Sequence, residues 1–262
     1  RIALPAYPAA RAALVESRKL GPVSGLSGAT LVGGRLPGTE LPVVLVDAPA
    51  LFERPGGPYG DASGRDWPDN ARRFHGFARA LCAIALDRAG LGWRPELVHC
   101  NDWQTGLVPA LLSREAARPA TVFTIHNQAY QGLFDRVQFD ALGLPDDWWA
   151  PDALEFYGGF SFLKAGLVFA DQLTTVSPTY ARQLLEPEHG CGLDGLLRHR
   201  RADFTGILNG IDAEVWSPAV DPHLASRYDR ATVDAGKRAN KVALQRELGL
   251  PEADKVPLLG LV

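Results

Sequence analysis

Twice in this chain an apolar run of strand character stops abruptly in a cluster of hydrogen-bonding side chains, and this pattern constrains the fold more than any other. The clearer case is Ala120-Thr-Val-Phe-Thr-Ile-His126-Asn127-Gln128-Ala129-Tyr130-Gln131-Gly132. The second, Leu97-Val98-His99-Cys100-Asn101-Asp102-Trp103-Gln104, precedes it by about a helix and a strand. In open α/β sheets ligands sit in the crevice beyond the carboxyl ends of the strands. Polar residues at these two ends therefore belong to a site rather than to a packed interior, and neighbouring strands would bring both to one substrate.

The rest of the chain supports such a sheet. From residue 97 on, strand and helix patterns alternate: strand 97–100, helix about 105–113, strand 120–125, helix about 159–170, strand 172–176, helix about 178–186, strand 204–208. Upstream, Asn70 to Leu86 carries apolar side chains at 74, 77, 78, 81, 84 and 85, the period of a helix with one buried stripe. An opening strand and the run Leu41 to Asp47 flank a glycine-rich stretch, residues 21–40, read as a connector. Alternation with right-handed crossovers predicts a doubly wound, mostly parallel α/β sheet with helices on both faces. Residues 133–158, which include Trp148 and Trp149, read as a long irregular connection. After Asn209-Gly210-Ile211-Asp212 the texture changes to a mixed-charge helix, Ala231 to Leu248, and then to a strand from Val256 to Val262.

Composition excludes several functions. Acidic and basic residues are interspersed and sum to a net charge of −3, which gives no field to recruit nucleic acid. The longest apolar run, Ala80 to Leu86, is far short of the roughly 20 residues that cross a bilayer. Cys82, Cys100 and Cys191 are too few and too scattered for a disulfide framework or a four-ligand zinc site. No Asn-x-Ser/Thr sequon occurs, so a cytoplasmic location is expected. Methionine is absent from all 262 residues, and the chain is read as a piece of a longer protein.

Cofactor motifs are also missing. No Gly-x-Gly-x-x-Gly, Gly-x-x-x-x-Gly-Lys-Ser/Thr or His-Glu-x-x-His occurs, which removes nicotinamide, P-loop and zinc-protease chemistry. His126 alone could be a half-buried structural histidine, but Asn127, Gln128, Tyr130 and Gln131 beside it suit a polyhydroxylated ligand whose hydroxyls each need a partner. Asp102-Trp103 pairs a carboxylate with an aromatic face, as sugar sites do; the lesser alternative is that Asp102 simply caps a short helix. Tyr59, in the loop Pro55-Gly56-Gly57-Pro58-Tyr59-Gly60, is either a packing or a ligand residue. Arg198-His199-Arg200-Arg201 reads as a solvated helix end.

Four separated segments, HCNDWQTGLVPALL, VFTIHNQAYQGLF, FSFLKAGLVFADQLTTVSPTYA and ILNGIDAEVWSP, together resemble bacterial glycogen synthase and plant starch synthase, in the family's order over nearly the whole chain. The resemblance implies the GT-B architecture of two Rossmann-like domains. Residues 1–208 would then be a truncated N-terminal domain, and 209–262 a connector plus the first strand of a truncated C-terminal nucleotide-binding domain. It implies transfer of glucose from ADP-glucose to the non-reducing end of an α-1,4-glucan, with retention at the anomeric carbon and with neither metal nor cofactor.

By the same resemblance His126 contacts the donor glucose beside the reacting carbon, and Asp102 is a carboxylate needed for activity near the acceptor. Asn127 and Asn209 line the sugar pocket, and Trp103 and Tyr59 are cleft-facing aromatics. The family's Lys-x-Gly-Gly-Leu motif and its later diphosphate-neutralising residues are not in this sequence, so the 262 residues alone are expected to be inactive. A non-catalytic glucan-binding module, with Trp103 and Tyr59 as a stacking platform, and a different GT-B enzyme such as a phosphorylase stay open as alternatives.

Overall fold

A computed structural model describes residues 1–261. The chain divides into two compact units, Arg1–Leu208 and Asn209–Val262. In chain order the first unit begins with β1 (Ile2–Pro5), α1 (Pro8–Ala13), β2 (Val15–Pro22), β3 (Thr30–Arg35), β4 (Pro42–Asp47), α2 (Pro49–Phe52) and α3 (Asn70–Ala85). It continues through β5 (Leu97–Asn101), α4 (Leu107–Ser113), β6 (Ala120–Ile125), β7 (Leu133–Phe134), α5 (Arg136–Leu142), β8 (Glu155–Phe156) and β9 (Gly159–Ser161). It closes with α6 (Phe162–Phe169), β10 (Gln172–Thr175), α7 (Pro178–Gln183), α8 (Asp194–His199) and β11 (Phe204–Gly206).

Eight of the strands build two four-stranded sheets, which pack on one large hydrophobic cluster and on a small second one formed by Ala6, Val43 and Leu45. One is wholly parallel, in the order β11-β10-β6-β5, with Asn101 opposite Thr124 and Thr124 opposite Thr174. The other, β1-β4-β3-β2, is parallel only between β1 and β4; β3 runs antiparallel to both β4 and β2. Helix α3 shows how the sequence pattern becomes packing: Phe74, Phe77, Ala78, Ile84 and Ala85 from its apolar stripe are all buried. Each large side chain so buried contributes roughly 1.5–3 kcal/mol of transfer free energy. Helix α5 starts at a reciprocal capping box between Asp135 and Gln138 and ends at Gly143 in the left-handed conformation (φ 64°), so local chemistry fixes both its ends.

Three expectations are corrected. The stretch 21–40 is not a connector, since it holds β3 and the end of β2. Strand β2 is largely solvent-exposed and lacks apolar alternation, so its ladder with β3 rather than a buried face defines it. Residues 133–158 are likewise structured: β7, α5 and β8 lie there, and β7 and β8 flank β9 in a small antiparallel sheet. Among the described residues, those from Val256 to Leu261 form no strand, as a lone extended segment without a ladder partner cannot. Val262, the last residue of that expected strand, lies outside the described residues.

The second unit contains α9 (Val233–Glu247). Lys241 Nζ donates to the carbonyls of Ala253 and Asp254 at 2.7 and 2.8 Å, fastening the irregular segment that follows the helix. Asn240 exchanges hydrogen bonds with the backbone of Ser226, fastening the segment before it.

Candidate active site

Strands β5 and β6 are parallel neighbours, so the two polar clusters found in the sequence leave the sheet side by side at its carboxyl end. The backbone of Asp102 turns there with φ 56° and ψ 178°, a conformation that non-glycine residues seldom adopt and that functional sites tolerate when their surroundings enforce it. The turn aims the carboxylate across to the next strand. Asp102 Oδ1 accepts the backbone N–H of His126 at 2.8 Å. The helix-cap alternative is therefore removed, since among the described residues the Asp102 side chain makes no capping hydrogen bond to the 3-10 turn Trp103–Thr105.

The imidazole is held from the same side. Asn101 Oδ1 lies 3.0 Å from His126 Nε2, which assigns the ring proton to Nε2 when the ring is neutral and leaves Nδ1 as an acceptor. His126 is thus gripped at its amide by Asp102 and at its ring by Asn101, while its side chain stays exposed. Behind it, His99 Nε2 is 2.6 Å from Thr124 Oγ1, and Thr124 is hydrogen-bonded in turn to Thr174, a polar line across β5, β6 and β10. Burial, and then the positive charge His126 would carry, hold the His99 imidazole below its ordinary pKa.

Asn127 is exposed, and its Oδ1 accepts the N–H of Ala129 at 3.0 Å in a local turn. Tyr59 is 46% exposed and lines the cleft that Asn101, Asp102, Gln104 and Thr105 also line. Burial, followed by the Asp102 carboxylate, pushes the Tyr59 phenol above its usual pKa, so ring and carboxylate share one electrostatic environment.

The structure corrects two assignments. Trp103 is only 8% exposed, and its indole packs edge-on against Phe74 (4.8 Å between centroids), Phe134 and Phe162. It is a core residue beneath the site, not a platform in the cleft. Gly132, at φ 60°, permits that packing: a Cβ there would lie 2.5 Å from the indole. Gln128 and Gln131, expected to serve a polyhydroxylated ligand, are buried and donate instead to the carbonyls of Gly190 (3.3 Å) and Cys191 (2.9 Å). They pin that loop beneath the strand end. Asn209 is exposed and belongs to the second unit. Asn101 is the residue that sequence reasoning passed over; its place beside Asp102 at a strand end was the available signal. Among the described residues no group of three or more His, Cys, Asp or Glu side chains is arranged to hold a metal.

Comparison with known proteins gives this geometry a family. Residues 1–199 match the starch synthase catalytic domain family. The chain is 54% identical over its whole length to glycogen synthase 2 of Nitrosococcus oceani and 52% identical to glycogen synthase 1 of Methylococcus capsulatus, covering 53% of each. It thus spans about half the length of the curated relatives it matches. Among solved structures, the catalytic domain of starch synthase IV from Arabidopsis thaliana, bound to ADP and acarbose, superposes with a TM-score of 0.76 at 32% identity, over 97% of this chain and 52% of that one. The parallel sheet is that of a Rossmann-like domain of the GT-B class. On the match over residues 1–199 and identity above 50% to these synthases, the chain belongs to the glycogen and starch synthase family of glycosyltransferases.

Proposed function

We infer that the protein of which these residues are part transfers glucose from ADP-glucose to the non-reducing end of an α-1,4-glucan with retention of configuration. One observation carries this reading: Asp102 and Asn101 at one strand end grip the backbone and ring of His126 at the next, at the carboxyl end of the sheet, the end at which α/β sheets bind ligands. A histidine held at two points keeps its orientation through turnover, and a partner fixed before the reaction does not have to be ordered during it. His126 would contact the donor glucose, Asp102 would hold its neighbour in place and set the local negative potential, and Asn127 and Tyr59 would take sugar hydroxyls and a ring face. In a retaining transfer of this class the leaving diphosphate assists the incoming hydroxyl on the same face, so the chain needs no nucleophile of its own. The relative that holds ADP and acarbose supports a nucleotide-sugar donor and a glucan acceptor here as well.

The glucan-binding-module alternative is weakened because one of its two aromatic platforms, Trp103, is in the core. His126→Ala, made in the protein at the full length of its relatives, decides between them. An enzyme loses turnover by about 100-fold or more with the fold retained, whereas a binding module keeps its glucan affinity. Unchanged elongation from ADP-glucose would refute the transferase reading.

A further inference from the structure

Three basic side chains of α3 line one pocket with no carboxylate to answer them. Arg72, His75 and Arg79 stand at i, i+3 and i+7, on one face of the helix. The pocket, of about 280 Å³, is closed by Ser27 and Gly28 of the β2–β3 connection, Leu51 of α2 and Leu142 of α5. None of its lining residues is acidic, and the connection, α2 and α5 bring no charged group to it. Other arginines of the unit are answered: Arg54, Arg88, Arg118 and Arg200 each pair with an aspartate or glutamate, whereas among the described residues Arg72 and Arg79 form no ion pair. Arg79 reaches over the connection, its Nη2 lying 2.8 Å from where a Cβ on Gly25 would stand. Burial, and then the charge of Arg79, lower the His75 pKa to about 4, so the pocket resists a third positive charge unless an anion enters.

We propose that this pocket binds a phosphate group, free or carried on a small sugar-sized body. Two guanidiniums beside an imidazole suit a doubly charged tetrahedral anion, whose oxygens accept the paired N–H groups of arginine. The Ser27 hydroxyl and the amides of Ser27 and Gly28, which donate to no other group among the described residues, add donors without adding charge. Leu51 and Leu142 give an apolar wall for the C–H face of a sugar, and the volume is near the lower end, about 300 Å³, of small-molecule sites. The same helix carries Asn70 and Arg73: Arg73 Nη1 donates to Asn70 Oδ1 at 2.7 Å, and Asn70 Nδ2 donates to the carbonyl of Tyr59 at 2.8 Å. The pocket is thus built on the helix that holds Tyr59 in place.

The test follows the His75 imidazole by NMR in histidine-labelled protein at the full span of its relatives, the resonance being the one that His75→Gln removes. Inorganic phosphate, a hexose monophosphate and the neutral hexose are titrated in turn. At least one of the two phosphates should shift the resonance saturably and move its titration to higher pH, because an anion favours the protonated ring. The tighter of the two identifies whether the phosphate is free or carried. Arg72→Gln combined with Arg79→Gln should weaken that binding by about tenfold or more, since charged hydrogen bonds are lost. Both side chains are exposed, so unfolding free energy and glucosyl transfer without added phosphate should stay as they were. No shift with either phosphate, a shift of equal affinity in the double variant, or an equal response to the neutral hexose would overturn the proposal.

Discussion

The two ends of the parallel sheet each carry an aspartate and use it in opposite ways. At the amino end, ahead of β6 and β10, Arg118 donates two hydrogen bonds of 2.7 Å to Asp171. That carboxylate also accepts the N–H and hydroxyl of Thr121, and Asp171 returns its own N–H to Thr121 Oγ1. Every partner is internal. At the carboxyl end, the Asp102 carboxylate accepts one hydrogen bond among the described residues, from the amide of His126, and His126 and Asn127 are exposed. A closed polar circuit stabilises the fold; an open one, held in place by strained backbone, is what a ligand can complete. The Arg118 hydrogen bonds hold the Asp171 carboxyl well below the usual carboxylate range, the signature of the closed end.

Substitutions can sharpen the contrast. The largest effect is expected from Trp103→Ala, which removes a buried indole under the open end and should lower stability by about 3–5 kcal/mol in denaturant titrations. Were Trp103 a sugar platform, stability would hold and only glucan affinity would fall. Next, Asp171→Ala at the closed end should cost about 2–3 kcal/mol, because several hydrogen bonds lose one acceptor, while glucan affinity stays as it was. A drop in affinity matching that in stability would mean the two ends are not independent.

The smallest expected effects are in pH dependence. Burial, and then the charge of Arg79, lower the pKa of His75 on α3 from 6.5 to about 4. The unfolded chain therefore binds this proton first, and stability should decline as pH falls from about 6.5 to about 4. Asp171, depressed in the folded state, contributes stability that is present above its unfolded pKa and lost only at still lower pH. In His75→Gln the first decline should flatten while the second remains; an unchanged profile would show that His75 does not titrate as its surroundings dictate.

The strand ends were legible in the sequence because polarity changes there within one residue, from Ile125 to His126 and from Cys100 to Asn101 and Asp102. Which polar residues point outward was not legible. Gln128 and His126 have similar local contexts, and only the loop Gly190–Cys191, some 60 residues on, makes one structural and leaves the other exposed. Trp103 misled for a related reason: its burial depends on Phe74, Phe134 and Phe162, brought from three separate elements or their flanks. Strand β2 was hidden because its register is set by β3 rather than by any apolar period of its own.

Asp102→Asn is the most direct test that the β5 and β6 strand ends act together, since asparagine keeps an oxygen for the His126 amide and removes only the charge. Measured side by side in the protein at the full span of its relatives, glucosyl transfer from ADP-glucose should fall by about 100-fold or more, while unfolding free energy changes by less than about 1 kcal/mol. Transfer at the unsubstituted rate, or a loss that merely follows unfolding, would contradict the pairing of that carboxylate with His126 as the working unit.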